Sequence, residues 1–116
     1  MEAAIDCGLV EIFYESPKTA ADRLQGALEA KRRAGDMLGE ARAHLVLGMA
    51  LRRTPRIGEA EHHSQRARRI YEKAGHRWGI AKAVLLKAEI DWVRGDAESA
   101  AKLARDARKL HRGLED

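Results

Sequence analysis

The sequence predicts an all-α protein built from stacked helical hairpins, and an internal repeat is the first observation behind this prediction. The blocks 1–36, 37–76 and 77–116 align with one another without a gap. Small residues recur in register, at Gly8, Gly48 and Ala88, at Ala20, Ala60 and Ala100, and at Ala27, Ala67 and Ala107. A period of about 40 residues is typical of repeated supersecondary units that pack side by side.

Composition and turn residues are the other two observations. Aromatic residues make up 4% of the chain, and abundant Ala, Leu, Arg, Lys and Glu favour helices. Each block is divided near its middle by a turn signal, at Ser16-Pro17, Thr54-Pro55 and Arg94-Gly95-Asp96. A chain of this length has room for one core, so residues 1–116 are predicted to form a single domain.

The turn signals place two helices in each block. Pro17 and Pro55 suit a first helical position or the turn just before it, with the preceding hydroxyl residue available as an N-cap. Between blocks, Gly35 and Gly75 can end a helix in a left-handed conformation. Six helices are therefore predicted, at about 2–14, 18–34, 37–53, 57–74, 77–94 and 97–112. Short connections make neighbouring helices antiparallel.

In this register the chain resembles the tetratricopeptide repeat family. That family's consensus carries a small residue in the first helix, an alanine twelve residues later and a second alanine after another seven, and all three blocks keep both intervals. The resemblance implies three antiparallel helix-turn-helix hairpins stacked as a right-handed superhelix. The period of about 40 exceeds the family's usual 34, and Ser64 and Ala104 stand where a bulky residue is common, so a long-helix variant is implied. A generic array of helical hairpins is the alternative.

The resemblance also implies a concave groove lined by the first helix of each hairpin. Carried over by register, the groove positions are Glu2, Ile5, Leu9 and Ile12 in the first block, Arg42, Leu45, Met49 and Arg52 in the second, and Lys82, Leu85, Glu89 and Trp92 in the third. Intervals of three, four and three place each set on one helical face, and the last two sets form the predicted partner-binding site. Basic in its middle, this surface suits an extended or helical peptide with acidic and apolar residues. Alternatively, the apolar members pack between hairpins and the charged members face water.

The first predicted helix, 2–14, is apolar around most of its circumference. Because a terminal repeat ordinarily has a polar outer face, a further covering layer is expected here. The candidates are a second copy of the chain, a partner protein or upstream repeats, and a homodimer is the simplest of them. The residues predicted for self-association are Ile5, Leu9, Ile12 and Phe13. The alternative is that the helix is buried by its own neighbour.

The formal charge of +4 is uneven, and the second block is the most basic. Arg52, Arg53 and Arg56 cluster at its hairpin turn. Phosphate contacts use such groups, yet Glu59 and Glu61 are interspersed, and neither a recognition-helix pattern nor an aromatic stacking platform accompanies them. A solvated helix surface explains the charge, and the sequence argues against direct nucleic-acid binding.

No constellation of catalytic or metal-binding residues stands out. The adjacent His62 and His63 diverge by about 100° on a helix, and the other histidines show no ligand spacing with them. The single cysteine, Cys7, excludes an intramolecular disulfide and fits a reducing compartment. The chain also lacks a phosphate-binding glycine loop, a long apolar run and the features of a secretory signal. We therefore expect a cytoplasmic protein with no metal, cofactor or membrane.

The sequence thus predicts a non-enzymatic protein–protein interaction module that binds a peptide or protein, with an acidic segment as the favoured ligand. Two alternatives stay open. In one, self-association through the N-terminal helix is the main activity of a structural or scaffold domain. In the other, the chain is a regulatory segment of a larger transcriptional or signalling protein, which rests on family analogy alone.

Overall fold

The computed structural model describes residues 17–115, which are helical apart from short turns. Five helices follow one another without a strand in this range: α1 (Pro17–Arg33), α2 (Met37–Leu51), α3 (Ile57–Ala74), α4 (Arg77–Val93) and α5 (Ala97–Glu115). The all-α class and the five helices predicted from residue 18 onward are confirmed, and the predicted helix 2–14 lies outside the described residues. Within the same range, no helix is long and apolar enough to cross a membrane.

Two glycines end helices where the sequence predicts it. Gly35 and Gly75 have φ angles of 71° and 65°, a left-handed conformation that glycine adopts without a steric penalty. The residue after each glycine caps the next helix, because the side chains of Asp36 and His76 each accept a hydrogen bond, at 2.9 Å, from the backbone N–H three residues later. The two junctions share one backbone geometry although their capping side chains differ chemically.

The turn between α2 and α3 corrects one expectation, that Thr54 caps the next helix. Its Oγ1 instead donates to the Leu51 carbonyl at 2.8 Å and accepts from the Arg56 N–H at 3.1 Å. These bonds close the turn, and α2 accordingly ends at Leu51 rather than at 53. Arg56 precedes α3 without a side-chain capping bond. Pro55 lies in the turn and Pro17 is the first residue of α1, the two placements expected of proline.

Each helix packs against its neighbours in the chain, and α2 also packs against α4. Among the five described helices, α1 contacts only α2 and α5 contacts only α4, so the first and last helices lie apart. The alanines of the repeated series are buried: Ala20, Ala60, Ala27, Ala67, Ala100 and Ala107 are each at most 8% exposed. Side-chain size at such contacts sets how closely two helices approach.

Gly48 shows how tight this packing is. A Cβ at this position would lie 2.6 Å from Leu86 Cδ2 and 3.2 Å from the carbonyl oxygen of Ala60. The backbones of α2 and α3 and a side chain of α4 therefore meet here with no room for a methyl group. The steric role that the sequence predicts for the recurring small residues is observed at this point.

Candidate functional site

A cleft between α2 and α4, the central cleft, brings together most of the predicted groove. Its volume is about 230 Å³, and its lining residues are Leu45, Met49, Arg52, Lys82, Leu85, Leu86 and Glu89. Six of the eight predicted partner-binding residues are among them, and the two that are not are Arg42 and Trp92. The grouping follows from the register, because α2 and α4 pack side by side with equivalent positions turned toward the same cleft.

Arg42 lines a different cleft of about 250 Å³, next to Leu38 and Trp78. These two apolar side chains are 46% and 48% exposed, and Lys82 Nζ lies 5.4 Å from the Trp78 ring centroid, within cation–π range. Sequence reasoning missed both residues. They precede Arg42 and Lys82 by four residues, one helical turn earlier on the same faces, and this spacing is the signal that identifies them.

A larger cleft, the end cleft, opens between α4, α5 and the turn after α2. Its volume is about 460 Å³, and its lining residues are Arg52, Arg53, Leu85, Ala88, Glu89, Trp92, Val93, Ala97, Ala100, Ala101 and Ala104. Trp92 is 68% exposed and Val93 48%, so the walls that α4 and α5 contribute are largely apolar and open. Arg52, Arg53 and Glu89 are the charged residues of the lining. Arg52, Leu85 and Glu89 line both clefts, which makes the two continuous.

The charges of the central cleft are partly paired, although its two cations, Arg52 and Lys82, outnumber its one anion, Glu89. Arg52 Nε lies 3.2 Å from Glu89 Oε2, and Arg52 Nη1 donates to the Met49 carbonyl at 3.2 Å. The pairing arises because both charged residues belong to the same predicted surface on two adjacent helices. Among the lining residues, Lys82 then supplies the positive charge that Glu89 does not balance.

A polar network joins α3, α4 and α5 near the end of α4. Asp91 is 5% exposed and accepts hydrogen bonds from Ser99 Oγ at 2.6 Å and Lys87 Nζ at 2.5 Å. Glu61 of α3 pairs with Lys87 at 3.9 Å and with Arg94. Burial raises the pKa of Asp91, but the hydrogen bonds from Lys87 and Ser99 outweigh it and hold the pKa below its ordinary value. The network thus fixes the end of α4 that borders both clefts.

Two histidines that show no relationship in the sequence meet between α2 and α3. His44 Nδ1 and His63 Nδ1 lie 2.9 Å apart, so one ring donates and the other accepts. His44 is 2% exposed, and its Nε2 lies 3.5 Å from a Glu40 carboxylate oxygen without a hydrogen bond to any described residue. Burial above all, and then the nearby His63, lowers the pKa of His44 to about 3. No group of three or more His, Cys, Asp or Glu side chains in residues 17–115 could hold a metal ion.

The remaining predicted positions belong to the first block. The self-association residues Ile5, Leu9, Ile12 and Phe13, together with the groove position Glu2, lie outside the described residues. Their roles stay predictions that the sequence alone supports.

Comparison with known proteins finds no family model, no curated protein and no solved structure that matches this chain. The tetratricopeptide resemblance therefore rests on the sequence register, and it stays a prediction.

Proposed function

We propose that the protein is a non-enzymatic protein–protein interaction module, built from three tetratricopeptide-like hairpins stacked as a right-handed superhelix. The packing of α2 against α4 supports this architecture, because the two helices occupy the same place in successive blocks of the repeat. Buried alanines recur at the same interval. A cytoplasmic location belongs to the proposal, since the lone cysteine, Cys7, fits a reducing compartment.

The observation that carries the proposal is the shared cleft of the register-predicted residues. Leu45, Met49 and Leu85 offer apolar walls to a side chain of the partner, and Lys82 at the same cleft can pair with an acidic residue. An extended or helical peptide with adjacent acidic and apolar residues fits this chemistry. Because the helices are already packed, the cost of ordering on binding falls mainly on the peptide.

Selection from a displayed random-peptide library tests the proposal. The immobilised chain is expected to enrich peptides that carry an acidic residue next to an apolar one. Met49→Glu and Lys82→Glu are each expected to weaken their binding at least about tenfold, because they bury or repel charge at the cleft. Lys73→Glu is the matched control, since Lys73 is exposed on α3 and lines neither cleft. Peptides that bind all four proteins equally, or no enrichment at all, would contradict the proposal.

A second candidate function, self-association as a structural domain, is favoured by the exposed Trp92 and Val93 of the end cleft. Exposed apolar side chains grouped at one cleft are typical of protein–protein interaction sites. The two candidates are compatible, because each uses lining residues that the other does not.

A further inference from the structure

The groove between α2 and α3 is occupied by α4, and the contacts of α4 show which side chains match such a groove. α4 lies against both α2 and α3. Leu86 of α4 covers Gly48, and Glu89 of α4 pairs with Arg52, the residue that follows α2. These contacts place an apolar side chain over Gly48 and a charged pair at the end of α2.

A second charged contact holds the same helix from the other side. Glu61 of α3 pairs with both Lys87 of α4 and Arg94, the residue that follows α4. The groove that receives α4 therefore carries a cation directly after α2, Arg52, and an anion on α3, Glu61. Both charges are matched by the seated helix.

The end cleft is the equivalent, in the next repeat, of the groove that α4 occupies. Its lining residues Ala88, Trp92 and Ala101 are the equivalents, in the next block, of Gly48, Arg52 and Glu61. None of the described helices fills it, and Trp92 and Ala101 are exposed. At these two equivalent positions the cation and the anion of the occupied groove are thus replaced by apolar residues. Charged residues at other positions of the lining are Arg52 and Glu89, which pair with each other, and Arg53.

The replacement defines the helix that fits. An occupant in the register of α4 needs apolar residues in place of Glu89, Lys87 and Arg94. The predicted helix 2–14 is the equivalent of α4 two repeats earlier, and at these positions the N-terminal segment carries Leu9, Cys7 and Tyr14. At the positions of both charged contacts, the end cleft and the N-terminal segment therefore each carry apolar residues. The two surfaces match each other at these positions.

We propose that the end cleft of one molecule receives the N-terminal segment 2–14 of a second copy, in the register that α4 occupies on α2 and α3. A second copy supplies the segment because Pro17 begins α1 only a few residues later, and α1 contacts α2 but neither α4 nor α5. The contact is head-to-tail, so copies continue the stack of hairpins and assemblies grow beyond a dimer. This goes beyond the proposed peptide binding and replaces the simple homodimer that the sequence suggests.

One position of the N-terminal segment, Asp6, is charged where α4 is apolar. Substituting it tests the proposal through an increase in self-association. Asp6 is the equivalent, two repeats earlier, of Leu86, the side chain that covers Gly48. In the proposed register its carboxylate lies against Ala88. Asp6→Leu is therefore expected to tighten self-association at least about tenfold, because it removes a buried charge and adds apolar contact.

Light scattering of the full chain over a concentration series measures the assembly. The wild type is expected to grow past the mass of a dimer as concentration rises. Ala101→Glu and Leu9→Glu, each tested alone, are expected to leave monomers, since each buries an unpaired carboxylate. Ala101 is exposed, so an unchanged thermal unfolding midpoint shows that the variant still folds.

Two rescue experiments distinguish this head-to-tail contact from a symmetric one. Ala101→Glu combined with Tyr14→Arg copies the Glu61–Arg94 pair across the junction and is expected to restore growth. A mixture of the Leu9→Glu and Ala101→Glu proteins retains one intact junction and is expected to form dimers that grow no further. A symmetric contact between two N-terminal segments cannot give this result.

Three outcomes would overturn the proposal: a wild type that stays monomeric, an assembly that Ala101→Glu leaves intact, or a mass that stops at the dimer. An end cleft filled by a different protein would leave the wild type monomeric by itself. The peptide-binding proposal is judged separately, because Met49 and Lys82 line only the central cleft. Met49→Glu is accordingly expected to leave self-association unchanged.

Discussion

The hairpin of α2 and α3 and the hairpin of α4 and α5 share a register but bury different polar groups. The first encloses His44 against His63, where the second has Val84 and Leu103. The small residue at the contact also differs, since Gly48 is replaced by Ala88. The same helical hairpin therefore tolerates a polar or an apolar pair at one contact.

The second hairpin has a polar group of its own. Asp91 is bound by Ser99 and Lys87, whereas the first hairpin has Leu51 at the equivalent position. The comparison teaches that the repeat keeps the positions of the small residues and the glycine junction before each hairpin. The turns within the two hairpins differ in length, with five residues between α2 and α3 and three between α4 and α5. The buried polar groups vary from one hairpin to the next, and they set how each hairpin responds to pH and substitution.

The largest expected effect is a loss of stability in acid that originates in the first hairpin. His44 has a pKa of about 3 in the folded protein and an ordinary value of 6.5 when unfolded. Between these pH values the unfolded chain binds the extra proton, so the free energy of unfolding falls as pH falls. The expected slope is about 1.4 kcal/mol per pH unit within this window, measured by urea denaturation at a series of pH values.

Giving the first hairpin the residues of the second tests that assignment. His44→Val with His63→Leu is expected to abolish the slope between pH 6.5 and about pH 5, because neither replacement titrates. At lower pH a response remains, because the pKa of Asp91 is also lowered in the folded protein. His62→Leu is the control, since His62 is exposed beside the pair and its removal should leave the slope in place. A slope above about pH 5 that survives the double substitution would mean that groups other than the two histidines cause it.

The next largest effect is expected where the first hairpin is most tightly packed. Gly48→Ala introduces the residue of the second hairpin, and its methyl group overlaps Leu86. The free energy of unfolding is expected to fall by about 1–3 kcal/mol, as overpacking of cores does. Gly26→Ala is the control: no atom lies within 4 Å of its added Cβ, and a gain of about 0.5–1 kcal/mol in helix stability is expected. Thermal unfolding of both variants checks the difference in sign.

Replacing the buried Asp91 of the second hairpin is expected to lower the free energy of unfolding by less than the full acid effect of His44. Asp91→Leu introduces the residue of the first hairpin and leaves Ser99 Oγ and Lys87 Nζ without their common acceptor. A loss of about 1–2 kcal/mol in the free energy of unfolding is expected for such unmet hydrogen bonds. Asp106→Leu on α5 serves as the matched loss of a carboxylate outside the network. Equal stability of the two variants would show that the network contributes nothing.

The smallest effect is expected from the ion pair that spans the two hairpins. Arg52 and Glu89 are 22% and 45% exposed in their side chains, and pairs of this kind contribute about 0.2–1 kcal/mol. A double-mutant cycle with Arg52→Gln and Glu89→Gln measures the coupling. The coupling should shrink as salt is added, and a coupling that ignores salt would argue against a charged interaction.

Local features of this fold could be predicted from the sequence, and contacts across helices could not. The glycines at 35 and 75 end helices as expected, because a left-handed turn is specified by the residue itself. Six of the eight groove residues share a cleft because helical register is a local property. The contact of His44 with His63 joins two different helices. It depends on how α2 and α3 pack, and residue spacing within one helix does not predict that packing. The pairing of Arg52 with Glu89 was missed for the same reason.

The measurement that tests the central claim most directly is methyl NMR of the chain with the peptide most enriched in the library selection. The account predicts that shifts concentrate on the methyl groups of Leu45, Met49 and Leu85, which line the central cleft, while Leu28 in the α1 core stays unchanged. Shifts confined to other surfaces, with these three methyl groups unmoved, would contradict it.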